Sequence, residues 1–255
     1  MVTTVYLVRH GETDYNLGPR YQGQMDIPLN NNGRRQGDLL GQAMKNHHID
    51  EVFSSPLSRA FETGQLIAQY HENVPVTPVH GLEEIDVGLF TGRMVEEAGK
   101  EYPEVLRCLK ENPAQLQYPE GESCRDVYDR MVKTISSIVE KNRGRSIVIV
   151  SHGFAIQNYI HYSTGKPFEE MGSYIVTNTS RSKFVFEDDS LRRLAIVGEA
   201  LPFQFHQLLI LKTSCMDFAH CTAVCHGVEV IGNLIQTNRR SSFYPTSRNG
   251  SLLQL

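Results

Sequence analysis

Two apolar runs of this chain end in nearly identical turns, and this repetition limits the folds that the chain can adopt. The first, TTVYLV (Thr3–Val8), leads into RHG, and the second, SIVIVS (Ser146–Ser151), leads into HG. Such runs are typical of buried strands in a parallel sheet. Because the carboxyl ends of parallel strands open on one edge of a sheet, we expect the two histidines, His10 and His152, to lie at that edge.

Helical segments separate the two strands. Asn30 predicts the cap of a helix from about Asn31 to Asn46, and Ser55 followed by Pro56 predicts the start of another after a short strand. The remaining predicted elements are an edge strand at 74–79, short helices over 95–116, a helix capped by Ser123 that ends near 141, a helix at about 154–162, and strands at 173–179, 182–187 and 191–197. This alternation predicts an α/β fold with three layers, α/β/α, and a mostly parallel central sheet.

Domain organisation is predicted from where this pattern stops. One domain covers residues 1–198, and an atypical extension, predicted to be partly disordered, covers 199–255. The extension carries C-x5-C-x3-C-H at Cys215, Cys221, Cys225 and His226. Since this pattern lacks a paired C-x2-C, free cysteines in an apolar segment are favoured over a zinc site.

Charge, hydropathy and cysteine usage argue against several classes of partner. A net charge of −4 and a pI near 6.2 indicate no basic face for nucleic acid. No apolar run approaches the roughly 20 residues that span a membrane, and no secretory signal precedes the first strand. The five scattered cysteines do not indicate a disulfide framework. We therefore expect a cytoplasmic protein that binds neither nucleic acid nor membranes, and a homodimer is left open.

Five side chains suited to phosphate chemistry fall at or near the predicted edge. They are Arg9, His10, Arg59, Glu84 and His152. The planar guanidinium fork matches phosphate oxygens, and two arginines balance a phosphoryl dianion. Each residue taken singly is more often structural or a solvated surface charge, but five such coincidences at one edge favour a phosphate site.

Glycines beside the histidines strengthen this interpretation. Gly11 and Gly153 lack a Cβ, so we expect their backbone N–H groups to approach a bound anion. A helix beginning near Phe154 would add its positive N-terminal end. The sequence therefore assigns Gly153 to phosphate binding.

The order of six motifs extends the interpretation beyond single residues. The motifs are LVRHGETDYN at 7–16, YQGQMDIPL at 21–29, SSPLSRAFET at 54–63, LEEIDVGLFTG at 82–92, PEGES at 119–123 and VSHG at 150–153. In this order they resemble the histidine phosphatase superfamily, also called phosphoglycerate mutase-like, over roughly residues 3–197. An isolated RHG would carry little weight, whereas the ordered set is specific.

The resemblance implies a role for each group at the edge. His10 would be the nucleophile that becomes phosphohistidine. Arg9 and Arg59 would bind the phosphate oxygens, and His152 would contact the transferred group. The neighbouring arginines would keep His10 neutral, whereas a protonated His152 would stabilise charge on the equatorial oxygens.

The resemblance also implies a general acid. Glu84 lies four residues before Gly88, as in the E-x-x-x-G pattern of the family, and it is preferred to Glu83 on that spacing alone. Residues 95–118 and Tyr159 are expected to line the outer pocket. Further positions that match loops holding phosphate or substrate are Asn16, Gln22 and Gly23.

The implied activity is hydrolysis of a small phosphorylated metabolite by a phosphatase that needs neither a cofactor nor a metal ion. A phosphoglycerate mutase is the first alternative, but the Arg- and Pro-rich insertion of cofactor-dependent mutases is missing between Glu84 and His152. A non-enzymatic phosphate-binding protein is the second alternative, and the intact set of five groups speaks against it.

Overall fold

A mixed sheet forms the centre of the chain in the computed structural model, which describes residues 1–18, 20–187 and 190–199. The strands, numbered β1 to β6 along the chain, are Val2–Arg9, Glu51–Ser54, Val76–Pro78, Ser146–Ser151, Arg181–Glu187 and Ser190–Glu199. Within those residues their order is β3-β2-β4-β1-β5-β6. The first four strands pair in parallel, whereas β5 and β6 add antiparallel pairs at one side. The expected mostly parallel sheet is confirmed.

Helices cover both faces of this sheet. They are numbered α1 to α7 and span Asp14–Leu17, Asn31–Met44, Ser58–Ala68, Val95–Glu101, Pro103–Glu111, Cys124–Lys141 and Gly153–Ser163. Side chains of α2 and α3 form one apolar cluster, and side chains of α6 and α7 contribute to the other. The three predicted layers are therefore present. In the part of the chain that is described, no helix combines the length and apolar character needed to cross a membrane.

The layers follow from the alternation of side chains along the buried strands. In β1, Tyr6 and Val8 belong to the cluster under α2 and α3, whereas Val5 and Leu7 belong to the cluster under α6 and α7. Successive strand residues point to opposite faces, so a strand that is apolar throughout must be covered on both sides. This is why β1 and β4 lie in the middle of the sheet.

Capping residues determine where two of the helices begin. The Asn30 side chain accepts the N–H of Gly33 at 2.8 Å, and the Ser123 hydroxyl accepts the N–H of Asp126 at 3.1 Å. Each bond satisfies a backbone donor that has no partner inside the helix. Pro103 occupies the first turn of α5, where the missing N–H costs nothing. The predicted caps at Asn30 and Ser123 are confirmed.

The predicted cap at Ser55 is wrong. Helix α3 begins at Ser58 and its N-cap is Leu57, which makes no side-chain cap bond. The Ser55 hydroxyl accepts the N–H of Leu57 at 3.3 Å and forms a second bond with the ring of His152. Ser55 therefore organises the turn before the helix and supports a histidine.

The predicted strand at 173–179 is also wrong. This segment is an irregular loop that ends with Thr179 at φ +56°. The Thr179 N–H donates to the carbonyl of Arg9 at 3.0 Å, and the Asn178 side chain donates to the carbonyl of His10 at 3.0 Å. The segment crosses the carboxyl end of β1 and makes its bonds there. The extension predicted from residue 199, including its cysteines, lies beyond Glu199 outside the described residues.

Replacement of Ile149 in β4 by alanine should lower the free energy of unfolding by about 2–5 kcal/mol, because a fully buried side chain leaves a cavity. Ile175 is the matched control, since 73% of its surface is exposed. Ile175→Ala should change the free energy by less than about 0.5 kcal/mol. Urea denaturation of both variants measures the difference, and equal effects would contradict the assignment of β4 to the core.

Candidate active site

The carboxyl ends of β1, β2 and β4 bring the predicted groups together at one edge. The rings of His10 and His152 have centroids 5.1 Å apart. A Cβ built on Gly153, the first residue of α7, would lie 3.5 Å from the guanidinium carbon of Arg9. Arg59 enters from the first turn of α3, which follows β2 directly. The expectation that these turns share one edge is confirmed.

His10 is held in one tautomer at the end of β1. Its Nδ1 lies 2.6 Å from the carbonyl oxygen of Gly11, which can only accept, so Nδ1 carries the hydrogen and Nε2 carries the lone pair. Burial, followed by the positive charges of Arg9 and Arg59, lowers the pKa of His10 well below its ordinary value of 6.5. The imidazole is therefore a neutral base with a free nitrogen.

Both arginines are anchored by backbone carbonyls. Arg9 Nη1 donates to the carbonyl of Val176 at 2.6 Å, and Arg59 donates through Nη1 to Met25 at 2.7 Å and through Nη2 to Gly23 at 2.8 Å. Burial lowers the pKa of Arg59 to about 10 and also lowers that of Arg9. Arg59 therefore stays protonated at neutral pH, and Arg9 keeps its charge with the help of the nearby carboxylate of Glu84.

His152 is fully buried and its ring is oriented by a serine. Nε2 lies 2.8 Å from the hydroxyl oxygen of Ser55, which also accepts the N–H of Leu57. Burial, followed by the positive charge of Arg59, lowers the pKa of His152 well below 6.5. These effects disfavour protonation of His152 in the site without a ligand, and a protonated His152 during phosphoryl transfer stays a prediction.

Three buried nitrogens in this group have no hydrogen-bond partner among the described residues. They are Nε of Arg9, Nε of Arg59 and Nδ1 of His152. Buried polar groups in folded proteins are nearly always paired, so three unsatisfied nitrogens around one imidazole indicate a ligand. Because two of them belong to cations, the ligand that they fit is an anion.

The carboxylate of Glu84 lies at the N-terminus of α7. Its Oε2 accepts the N–H of Phe154 at 3.1 Å, and its Oε1 accepts the N–H groups of Ala155 and Ile85, each at 3.0 Å. The first N–H groups of a helix have no partner within it and favour a negative charge. The Glu84 carboxylate therefore binds the N-terminus of α7, the helix that begins directly after His152.

Glu83 points elsewhere. Its Oε1 lies 2.7 Å from Nδ1 of His80, whose side chain is 91% exposed. Its other oxygen accepts the N–H of Gly81. The sequence could not separate the two adjacent carboxylates by chemistry. In the structure it is Glu84 that binds the start of α7, directly after His152.

The predicted loop residues lie together beside β1. Asn16 Oδ1 accepts the N–H of Thr13 at 3.0 Å, and Gln22 Oε1 accepts the Thr13 hydroxyl at 3.0 Å. Gly23 has φ +51°, where glycine is favoured, and its carbonyl anchors Arg59. Contact of Asn16 and Gln22 with a substrate stays a prediction.

The N–H groups of Gly11 and Gly153, both expected to approach a bound anion, differ in their surroundings. The Gly11 N–H donates to the Thr63 hydroxyl at 3.0 Å, so the prediction that it binds an anion is wrong. A Cβ on Gly11 would lie 2.5 Å from the carbonyl oxygen of Gly33, which explains the glycine by close packing of the loop on α2. For Gly153, which packs on the Arg9 guanidinium, anion binding stays a prediction.

Sequence reasoning missed the residues that support the site. Ser55 orients His152, and Thr63 binds the Gly11 N–H while donating to the carbonyl of Arg59. Arg130 and Glu122 contact the segment that carries Glu84. Ser55, Thr63 and Glu122 lie inside the quoted motifs, so the signal available was a polar residue next to a catalytic candidate.

A cavity of about 280 Å³ lies beside the first turns of α7. Leu109 and Pro113 line one side, and Phe154 and Gln157 contribute from α7. None of the five candidate site residues lines this cavity, so the expectation that residues 95–118 line the outer pocket of the site stays a prediction. Tyr159 does not line the cavity. Only 1% of its surface is exposed and it belongs to the apolar core, so that prediction is wrong.

A family model agrees with this geometry. The model of the histidine phosphatase superfamily, branch 1, matches residues 5–197. This chain belongs to the histidine phosphatase superfamily. The match includes β1 with its RHG turn, the segment of Glu84, and β4 with its HG turn.

Relatives within the superfamily have names of two kinds. Phosphoserine phosphatase 1 of Hydrogenobacter thermophilus is 32% identical over 182 residues, which are 71% of this chain and 86% of the relative. Phosphoglycerate mutase-like protein 4 of Arabidopsis thaliana is 35% identical over 197 residues, 76% of this chain and 84% of the relative.

A solved histidine phosphatase superfamily structure has the same fold. A mutant phosphoserine phosphatase of Entamoeba histolytica, in complex with phosphoserine, superposes with a TM-score of 0.64 at 28% identity. The superposition covers 75% of this chain and 95% of that one. The expected phosphoglycerate mutase-like fold is confirmed.

Lowering the pH should destabilise the fold through His10 and His152. Their pKa values are lowered in the folded chain, so the unfolded chain binds more protons as the pH falls below about 6.5. The free energy of unfolding should therefore decrease from that pH downwards. His10→Gln and His152→Gln should each reduce the slope by up to about 1.4 kcal/mol per pH unit. Urea denaturation at several pH values measures this, and slopes that match the unaltered chain would contradict neutral histidines.

Proposed function

We propose that this chain is a phosphatase that hydrolyses the phosphate monoester of a small metabolite through a phosphohistidine on His10. The observation that carries the proposal is the set of three unsatisfied nitrogens around a neutral imidazole, on Arg9, Arg59 and His152. Membership of the superfamily and relatives named phosphatases support the same reaction class.

Substrate binding would begin with the phosphate group. The Nε–H groups of Arg9 and Arg59 are buried donors, whereas Nη1 of Arg9 and both Nη atoms of Arg59 are already bound to carbonyls. Their orientation is therefore set before the substrate arrives, which reduces the reorganisation required on binding. Nδ1 of His152 would provide a further contact if the Ser55 hydroxyl donates to Nε2, since Nδ1 then carries the hydrogen.

Transfer to the enzyme would follow in line. The lone pair on Nε2 of His10 attacks phosphorus while the bond from phosphorus to the substrate oxygen breaks. Charge that develops on the equatorial oxygens is stabilised by Arg9 and Arg59. The Gly11 carbonyl keeps the Nδ1 hydrogen in place, so the positive charge on the phosphorylated ring has an acceptor beside it.

Glu84 would supply the proton that an alkoxide leaving group needs. Its carboxylate accepts the N–H groups of Phe154 and Ala155. A phosphate dianion would place negative charge near this carboxylate and would compete for the same N–H groups. Both effects favour proton uptake by Glu84, because two adjacent negative charges disfavour each other.

The second half of the reaction would return the enzyme to its starting state. A water molecule attacks phosphorus, the bond between nitrogen and phosphorus breaks, and the electron pair returns to Nε2 of His10. Glu84, now a carboxylate, takes the proton from that water. Inorganic phosphate leaves, and no metal ion is required at any step.

Phosphoglycerate mutase activity is the second candidate, because relatives carry that name as well. A mutase transfers the phosphoryl group back to an organic acceptor instead of to water. Between Glu84 and His152 this chain folds into the helices α4, α5 and α6, and its sequence there lacks the Arg- and Pro-rich insertion of cofactor-dependent mutases. We therefore place the phosphatase first.

During turnover of a phosphate monoester, a peptide that contains His10 should carry an acid-labile phosphoryl group. Rapid quenching in alkali, digestion and mass spectrometry detect it. His10→Ala should remove the label and lower kcat by about 10⁴-fold or more, because the nucleophile is lost. His80→Ala is the matched control, since the His80 side chain is 91% exposed and outside the site. Turnover without any label, or equal kcat for His10→Ala and the unaltered chain, would overturn the proposal and favour a binding protein or a different site.

Incubation with 3-phosphoglycerate separates the phosphatase from the mutase. We expect inorganic phosphate to appear without prior accumulation of 2-phosphoglycerate, because the intermediate would be open to water. Phosphorus NMR follows both products in one sample. Formation of 2-phosphoglycerate that outpaces phosphate release would favour the mutase.

A further inference from the structure

The PEGES motif at 119–123 has no part in the reaction described so far, yet its glutamate belongs to a polar cluster next to the site. Glu122 forms a bidentate ion pair with Arg130, in which Nε–Oε1 is 2.8 Å and Nη2–Oε2 is 2.9 Å. Both side chains are about four-fifths buried, at 20% and 22% exposure. A planar fork of this kind fixes the guanidinium in one orientation.

The remaining donors of Arg130 converge on one short segment. Nη1 donates to the carbonyl of Glu83 at 2.7 Å and to that of Gly81 at 3.2 Å. Nη2 donates to the carbonyl of Glu84 at 2.9 Å. One side chain therefore holds three carbonyls of the loop in which the proposed acid lies.

Glu122 holds the same loop from the other side of Glu84. Its Oε2 accepts the N–H of Asp86 at 2.9 Å, and its own N–H donates to the Asp86 carbonyl at 2.8 Å. A Cβ on Gly121 would lie 2.4 Å from that carbonyl oxygen, so the motif packs directly against the loop backbone. The ion pair thus brackets Glu84 between residue 83 and residue 86.

In the part of the chain that is described, no helix or strand includes Glu84, and apart from Arg130 the Gln24 side chain donates to its carbonyl at 3.1 Å. The residue lies in an irregular segment between β3 and a 3₁₀ turn at Gly88–Phe90. Its carboxylate is bound at the start of α7, but that contact restrains only the far end of a flexible side chain. Proton transfer requires the carboxyl within hydrogen-bond reach of the leaving oxygen, so small shifts of the backbone reduce the rate.

We infer that Arg130 and Glu122 are positioning residues for proton donation by Glu84, an inference that rests on the proposed function. They act on the backbone of the acid and touch neither phosphate nor leaving group. Their loss should therefore slow the two steps in which Glu84 moves a proton, to the leaving oxygen and later from water, and leave phosphate binding unchanged.

The choice of ester separates this effect from general damage. When an alkyl ester is cleaved, the electron pair of the breaking bond passes to an alkoxide-like oxygen that takes the proton of Glu84. A 2,4-dinitrophenyl ester releases a stable phenolate and needs no proton. During formation of the phosphohistidine, a defect in acid positioning should appear with the first ester and be absent with the second. The ratio kcat/KM reports this step, whereas kcat also includes hydrolysis of the phosphohistidine, which needs Glu84 with either ester.

The experiment compares Arg130→Met and Glu122→Gln with Glu84→Gln as the reference. Substrates are 2,4-dinitrophenyl phosphate and the best alkyl phosphate among phosphoserine, 3-phosphoglycerate and glycerol 3-phosphate. For the alkyl ester we expect kcat/KM, which reports formation of the phosphohistidine, to fall about 100-fold in all three variants. For the dinitrophenyl ester kcat/KM should stay within about threefold of the value for the unaltered enzyme.

Arg145→Met is the matched control. Arg145 also binds a glutamate and backbone, namely Glu51 at 3.0 Å and the carbonyl of Asp50 at 3.2 Å, but at the opposite end of the sheet. The Arg145→Met substitution should leave the ratio of activity on the alkyl ester to activity on the dinitrophenyl ester unchanged. Thermal melting checks folding, and if Arg130→Met does not fold, Glu122→Gln decides, because it keeps the shape of the side chain.

Two results would overturn the inference: equal losses on both esters, or no loss on either, in the folded Arg130 and Glu122 variants. Failure of the proposed function looks different. In that case Glu84→Gln itself would not discriminate between the esters, or the unaltered protein would hydrolyse neither.

Discussion

Two guanidinium groups lie against a neutral imidazole at the end of a buried strand, and the rest of the site is arranged around this contact. Desolvation of Arg9 and Arg59 is offset by carbonyls of loops that would otherwise be separate, namely those of Val176, Met25 and Gly23. Among the described residues these bonds leave the Nε–H groups without partners, and this is the basis of the proposed anion site. Burial and the same positive charges lower the pKa of His10.

The acid side of the site is supported in a different way. Glu84 is held at its carboxylate by the start of α7 and, through its backbone, by the ion pair of Arg130 with Glu122. His10, the proposed nucleophile, directly follows β1, which is paired on both sides by β4 and β5. A strand in the middle of the sheet therefore positions the proposed nucleophile, whereas a loop held by polar side chains positions the proposed acid.

Local signals predicted the regular elements well and the irregular ones poorly. Asn30 and Ser123 satisfy helix donors within three residues, so their effect is readable from the sequence. Ser55 has the same local signal but binds His152, which is 97 positions away, and the helix starts later. Residues 173–179 have strand composition, yet Thr179 and Asn178 bond across the end of β1. Contacts distant in sequence overrode propensity in both cases.

The sequence by itself determined the apolar strands, their order with the helices, and which residues follow each strand, because these depend on periodicity and on the direction of a parallel sheet. Only the tertiary structure decided that Glu84 and not Glu83 binds the N-terminus of α7, that the Gly11 N–H binds Thr63, and that Tyr159 lies in the core. These outcomes depend on which distant group lies within hydrogen-bond or packing distance. Adjacent carboxylates are alike in sequence, and the direction of each side chain is settled by the elements packed around it.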